Sequence, residues 1–174
     1  MRRAFLVLAL ALAASPVFAQ GTSPRTIQWA ELVPKGWDPM NDFKDLKLAG
    51  LSDADPRAME MLKRLREVWD KAPVNGAMAG QSVRIPGFVV PLEETKDGLK
   101  EFLLVPYFGA CIHTPPPPAN QIIHVLPKEP ARGVRSMDAV WIVGTLGTVH
   151  TDTAMGASGY RMEALTIEPY REKR

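Results

Sequence analysis

The chain has a single cysteine, Cys111, and three histidines among 174 residues. An intramolecular disulfide framework is therefore excluded, and so is any metal site built from several thiolates. Strong net charge is also absent: the whole sequence carries +2. Two of its 21 Lys and Arg, Arg2 and Arg3, stand in the first segment, and the rest of the chain balances 19 basic against 19 acidic residues. A neutral body lacks the electrostatic footprint of a nucleic-acid-binding protein, so that function class is set aside. Long apolar runs are missing beyond the first segment. Nothing later approaches the roughly 20 residues a membrane-spanning helix needs, so no transmembrane segment is expected in the body.

The first segment is itself informative. Arg2 and Arg3 precede an apolar run from Ala4 to Ala14 that is too short to cross a bilayer, and Ser15 and Pro16 then break it. Val17-Phe18-Ala19 puts acceptable residues at the third-last and last positions before Gln20. Residues 1–19 are expected to be a secretory signal peptide cleaved after Ala19, leaving a periplasmic or secreted protein. The arginine pair lacks the residues that should precede it in a twin-arginine signal. The only cysteine stands far from the cleavage point, so no lipid anchor is expected there.

About 155 residues remain, enough for one domain with its own core. Residues 20–52 are punctuated by Pro24, Pro34, Gly36, Pro39 and Gly50, with Ile27, Trp29, Leu32, Trp37, Phe43 and Leu46 between them. They read as an irregular arm packed onto a globular domain over 53–174. A helix is predicted over 55–70: Asp55 can cap it and Pro56 suits its first turn, while Ala58, Met61, Leu62, Leu65, Val68 and Trp69 recur at helical spacing. That stripe reads as a core face.

After Pro73-Val74-Asn75-Gly76 the period becomes strand-like over a β body at 81–170. Five strands are predicted, Ser82 to Pro91, Glu101 to Tyr107, Gln121 to Leu126, Ala139 to Leu146 and Tyr160 to Glu168. Gly87, in the middle of the first, would let one strand bend and serve two sheet edges. The fold class is mainly β, a five-stranded partly open barrel of the OB type with one N-terminal helix; a small β-sandwich is the alternative.

The chemistry-bearing stretch joins the second and third predicted strands, from Tyr107 to Gln121. Pro115, Pro116, Pro117 and Pro118 cannot continue a sheet and form a stiff wall. In extended backbone Cys111 and His113 point the same way, so sulfur and imidazole can face one space. His124 stands on the next strand, and His150 is the remaining imidazole. One thiolate with two or three imidazoles suits zinc, with copper(I) as the alternative. Against this stands the plain packing of a small apolar cysteine and a semi-buried histidine. An unpaired thiol in an oxidising compartment must be buried, metal-bound or used. Tyr107, Phe108, the four prolines, Asn120 and Gln121 are the candidates for a recognition surface.

The run from Phe102 through Leu103, Leu104, Val105, Pro106, Tyr107, Phe108, Gly109, Ala110, Cys111 and Ile112 to His113, its proline string and Asn120-Gln121 resemble the signature of the bacterial family catalogued as domain of unknown function 3299. Trp29-Ala30-Glu31-Leu32-Val33-Pro34, the segment Ile85 to Glu93, and Gly159-Tyr160-Arg161-Met162 agree with it. The resemblance implies export and an accessory role beside metal-uptake transporters of the ABC type, and it favours Cys111, His113 and His124 as ligands. His150 lies in a Gly- and Thr-rich loop outside the motif. The leading expectation is a periplasmic zinc-holding accessory protein that delivers its ion to a transport system. The alternative is an interaction module of a cell-envelope complex. A thiol enzyme, with Cys111 as nucleophile and His113 or His124 as base, is the least favoured because neither an oxyanion donor nor an acidic orienting group can be assigned.

Overall fold

The structure is a computed structural model that describes residues 23–38, 41, 55–112 and 116–171. The expected signal peptide over 1–19 and most of the arm's second half lie outside these residues, as does His113. In chain order the strands are β1 (Arg25–Thr26), β2 (Ser82–Thr95), β3 (Gly98–Val105), β4 (Ile123–Pro127), β5 (Ala139–Gly147), β6 (Thr151–Thr153), β7 (Gly156–Ser158) and β8 (Tyr160–Pro169). One α-helix, α1 (Pro56–Asp70), lies between β1 and β2, and short 3-10 turns stand at Trp29–Leu32, Gly76–Met78 and Ala119–Gln121.

Strands β2, β3, β4, β8 and β5 hydrogen-bond in that order, and β5 returns to β2, closing a five-stranded barrel. Within the barrel all pairs are antiparallel except β4 with β8, and outside it β1 pairs with β2 in parallel. In barrel-strand order this is 1-2-3-5-4-1, the connectivity of the OB type. Closure depends on β2 serving two neighbours. Residues Ser82 to Phe88 pair with β5, Phe88 to Thr95 pair with β3, and Phe88 opposes Ala139 on one side and Val105 on the other. The handover falls beside Gly87, where a Cβ would lie 2.7 Å from Leu104 Cγ and 2.8 Å from the Val105 carbonyl oxygen. A side chain there would hold the two edges apart.

The first predicted strand runs past its limit, whereas β3 ends two residues before Tyr107 and β4 starts two residues after Gln121. Strand β2 continues to Thr95 and meets β3 through a tight turn at Lys96-Asp97-Gly98, where Gly98 has φ 125°. Two register shifts near Pro91 and Glu93 break the alternation that would otherwise announce this extension. The β6–β7 hairpin has no counterpart among the predicted strands, because three-residue strands rich in Thr and Gly carry no apolar period.

Alternation along β3 creates two cores. Phe102 and Leu104 join Ile85, Val89, Val125, Ile142, Leu146, Tyr160 and Met162 inside the barrel, whereas Leu103 and Val105 join Val90, Ala110 and Ile122 on the outside. The arm contributes to the inner core rather than only lying on it, since Ile27 and Leu32 are fully buried there. Tyr160 ties the pieces together. Its hydroxyl donates to the Leu32 carbonyl at 2.6 Å and accepts from the Asn75 N–H at 2.6 Å.

Helix α1 starts as expected, with the Asp55 carboxylate accepting from the Arg57 N–H at 2.8 Å and Pro56 in the first turn. Its apolar stripe does not become a core face. No residue of α1 is fully buried: Leu62 is 58% exposed, and Ala58, Met61, Leu65, Val68 and Trp69 are only half-buried. The five strands and the arm already fill the barrel interior, so the helix lies outside, against β7.

Candidate functional site

The connection between β3 and β4 crosses the outer core. Pro106 ends β3, and the chain turns through Tyr107-Phe108-Gly109, with Gly109 at φ 85° and the Ile112 N–H donating to the Gly109 carbonyl at 3.3 Å. The Gly109 N–H also points to Met137 Sδ at 3.1 Å. Cys111 has φ 65°, a left-handed conformation that a residue with a Cβ adopts only where its surroundings hold it. This geometry overturns the extended backbone from which Cys111 and His113 were expected to face one space.

Phe108 packs edge-on against Phe88, ring centroids 5.9 Å apart at 83°. It nevertheless stays 65% exposed, with Tyr107 at 43% and Ile112 at 39%. An apolar tip is thus held in solvent by a backbone pinned through Gly109 and Met137.

The proline wall splits by position. Pro115 lies outside the described residues, Pro116 and Pro118 are half-buried, and Pro117 is buried. Pro116 is braced by the β6–β7 hairpin, where a Cβ on Gly156 would come within 2.8 Å of the Pro116 ring. Asn120 and Gln121, expected on a recognition surface, do structural work instead. Asn120 is fully buried and its amide donates to the Pro73 carbonyl at 2.9 Å, while the Gln121 amide donates to the Trp29 carbonyl at 2.9 Å. They fasten the connection to the arm and to the exit of α1.

The expected metal ligands are dispersed. Cys111 is half-buried and lines a cleft of about 510 Å³ together with Arg66, Asp70, Asp152 and Met155. His124 is almost wholly buried on the outer face of β4, where Nε2 lies 3.1 Å from a Glu101 carboxylate oxygen and Nδ1 has no partner among the described residues. His150 is exposed and sits 3.0 Å from Asp152. Among the described residues no three His, Cys, Asp or Glu side chains come together in a way that would hold an ion. His113, the remaining candidate, lies outside them. Sequence reasoning overlooked Glu101; its signal was the short spacing across the β3–β4 pair, legible only once the register was known.

Burial pushes the Cys111 thiol from its ordinary 9.0 up to about 11. A thiol so placed is a poor nucleophile at neutral pH, because only the thiolate reacts. Its alkylation rate with iodoacetamide is expected to climb about tenfold per pH unit from pH 7 to about 10 and to level off only near 11, where a plateau at the ordinary 9.0 would contradict this burial. Stability carries the matching sign. A group whose pKa is raised on folding binds more protons folded than unfolded above pH 9, so stability is complete below about 9 and falls as pH rises toward 11. Tyr160, raised mainly by burial and partly offset by its hydrogen bond from Asn75, acts in the same direction.

The fold and site together define a small closed β-barrel protein whose second-to-third strand connection carries a proline wall and an exposed aromatic tip. The chain belongs to the family described as Protein of unknown function (DUF3299), which it matches over residues 29–169. It is similar to the crystal structure of a DUF3299 family protein from Pseudomonas aeruginosa PAO1, with a TM-score of 0.69 and 34% identity over 87% of this chain and 99% of that one. A chain from Leishmania major Friedlin assigned as an aspartyl-tRNA synthetase has a TM-score of 0.35 and 12% identity over 56% of this chain and 19% of that one, too distant to inform fold or function. No curated protein matches the chain.

Proposed function

We propose that this protein is a docking module of the cell envelope, which seats a protein partner on the aromatic tip formed by Tyr107, Phe108 and Ile112. The observation that carries the reading is the exposure of Phe108 at 65% on a backbone held by its neighbours. Apolar side chains held rigidly in water cost free energy that a partner recovers on covering them, and rigid aromatics are common anchors of interfaces. The leader-like segment 1–19 supports an envelope location, and among the described residues no helix is long and apolar enough to cross a membrane. An ABC-type transporter is the first partner to test. The experiment is photo-crosslinking from position 108 in intact cells, with position 165 as a control of similar exposure at 61%. A discrete adduct from 108 alone supports docking, whereas equal adducts from both positions, or none, count against it.

A second reading, the holding and delivery of zinc or copper(I), has one observation in its favour: Cys111 lines a cleft that also contains Asp70 and Asp152, and His113 stands two residues later. Loading must displace the proton of a thiol raised to about 11, so affinity falls steeply as pH drops. On the docking reading, titration with Zn²⁺ shows no stoichiometric binding in either the wild type or Cys111→Ser. One ion per wild-type chain, weakened at least tenfold in Cys111→Ser, would replace docking by ion holding.

A further inference from the structure

A second surface lies outside the aromatic tip and its cleft. On the outer face of the barrel Trp141 of β5 stacks on Tyr170, just beyond β8, with ring centroids 5.5 Å apart and 25° between planes. The Arg84 guanidinium of β2 sits 3.8 Å from the centre of the Trp141 ring. These residues line a cleft of about 550 Å³ together with Glu168, Pro169 and Arg171. Tyr170 is 45% exposed, so part of its ring faces the cleft mouth and solvent. Among the described residues no ion pair joins Arg84, Arg171 or Glu168 to any other group.

We propose that this cleft binds an anionic saccharide, which stacks a pyranose ring on Tyr170 and sets its carboxylate against Arg171, with Arg84 adding positive charge across Trp141. The chemistry fits in three respects. A pyranose presents an apolar C–H face that covers an aromatic ring, and the tyrosine here is stiffened by its stack on Trp141. Hydroxyls at the rim of the sugar both donate and accept, which suits a carboxylate beside guanidiniums. Two guanidiniums against one carboxylate leave one positive charge in excess, and a planar guanidinium pairs a carboxylate through two parallel hydrogen bonds. The platform is one-sided, with no second aromatic wall among the described residues to sandwich a flat base, so a sugar is favoured over a nucleotide. OB-type barrels are known to accommodate oligosaccharides, although on a different face from this one.

The test monitors the indole N–H resonance of Trp141, identified as the one lost in Trp141→Phe, during titration with trigalacturonate. Maltotriose serves as the neutral saccharide and adenosine monophosphate as an anion that stacks through a base. Trigalacturonate is expected to shift this resonance in a saturable way and at least fivefold more tightly than maltotriose. Tyr170→Ala should weaken binding at least tenfold and Arg171→Gln at least threefold; Arg171→Gln should keep the wild-type melting temperature because Arg171 is exposed, and Tyr170→Ala should cost the fold no more than about 1.5 kcal/mol, the worth of its stack on Trp141. Absence of a shift, equal affinity for maltotriose, tighter binding of adenosine monophosphate, or an unchanged Tyr170→Ala titration would each overturn the proposal.

Discussion

Replacing Gly144 by alanine is expected to destabilise the protein by about 3 kcal/mol, and Gly87→Ala by about as much, the upper part of the range for overpacking a filled site. At Gly144 the added Cβ would press on the Glu163 backbone carbonyl and lie 2.8 Å from Met162 Cγ. Gly144 also stands at the register shift between β5 and β8, so the strand cannot move away without breaking a ladder that closes the barrel. At Gly87 the obstacle is the Leu104 side chain and the Val105 carbonyl, at the point where β2 leaves one partner for the other. A loss of this size lowers the melting temperature by roughly 10 °C for a chain of this length. Gly76→Ala is the control. Nothing lies within 4 Å of a Cβ at Gly76 and its φ is not positive, so that change should stay within about 0.5 kcal/mol. Urea unfolding followed by tryptophan fluorescence measures all three variants, and equal midpoints would show that close strand approach is not what closes the barrel.

Phe108→Ala is expected to weaken partner binding at least thirtyfold, about 2 kcal/mol, the size of an interface anchor. Fold stability should fall by no more than about 1.5 kcal/mol, the worth of an edge-on aromatic pair. The separation arises because Phe108 gives only its edge contact with Phe88 to the fold and leaves 65% of its surface for a partner. Tyr107→Ala, at 43% exposure, should cost binding less. Leu165→Ala removes an equally exposed apolar side chain from β8 and should leave binding unchanged. Affinity of the crosslinked partner for each variant, measured by calorimetry, decides the matter. Loss in Leu165→Ala equal to that in Phe108→Ala would mean general surface stickiness rather than a defined tip.

Much of the barrel is legible in the sequence because its strands obey local rules. Apolar alternation announces the five barrel strands, Asp55 and Pro56 announce the start of α1, and Gly87 announces the bend of β2. The β6–β7 hairpin and the end of β2 are not legible, since bulges and Thr-Gly strands leave no period to read. The site is less legible still. Extended geometry was expected for Cys111, but the turn closed by Gly109 drives it to positive φ. Asn120 and Gln121 carry polar side chains typical of a surface, yet their amides satisfy backbone carbonyls from distant segments. Only folding brings Pro73 and Trp29 to them.

The sequence by itself determined the class of fold and the family, because strand period, turn residues and a proline-rich motif are short-range properties written in neighbouring positions. The tertiary structure alone decided which polar groups are paired and which apolar ones stay in water. His124 meets Glu101 only through the register of β3 on β4. Trp141 meets Arg84 only because β2 and β5 close the barrel, and it meets Tyr170 only because β8 lies beside β5. The helix stripe of α1 is only half covered for the same reason: whether an apolar side chain is buried depends on space left by the rest of the chain, a quantity no local pattern encodes.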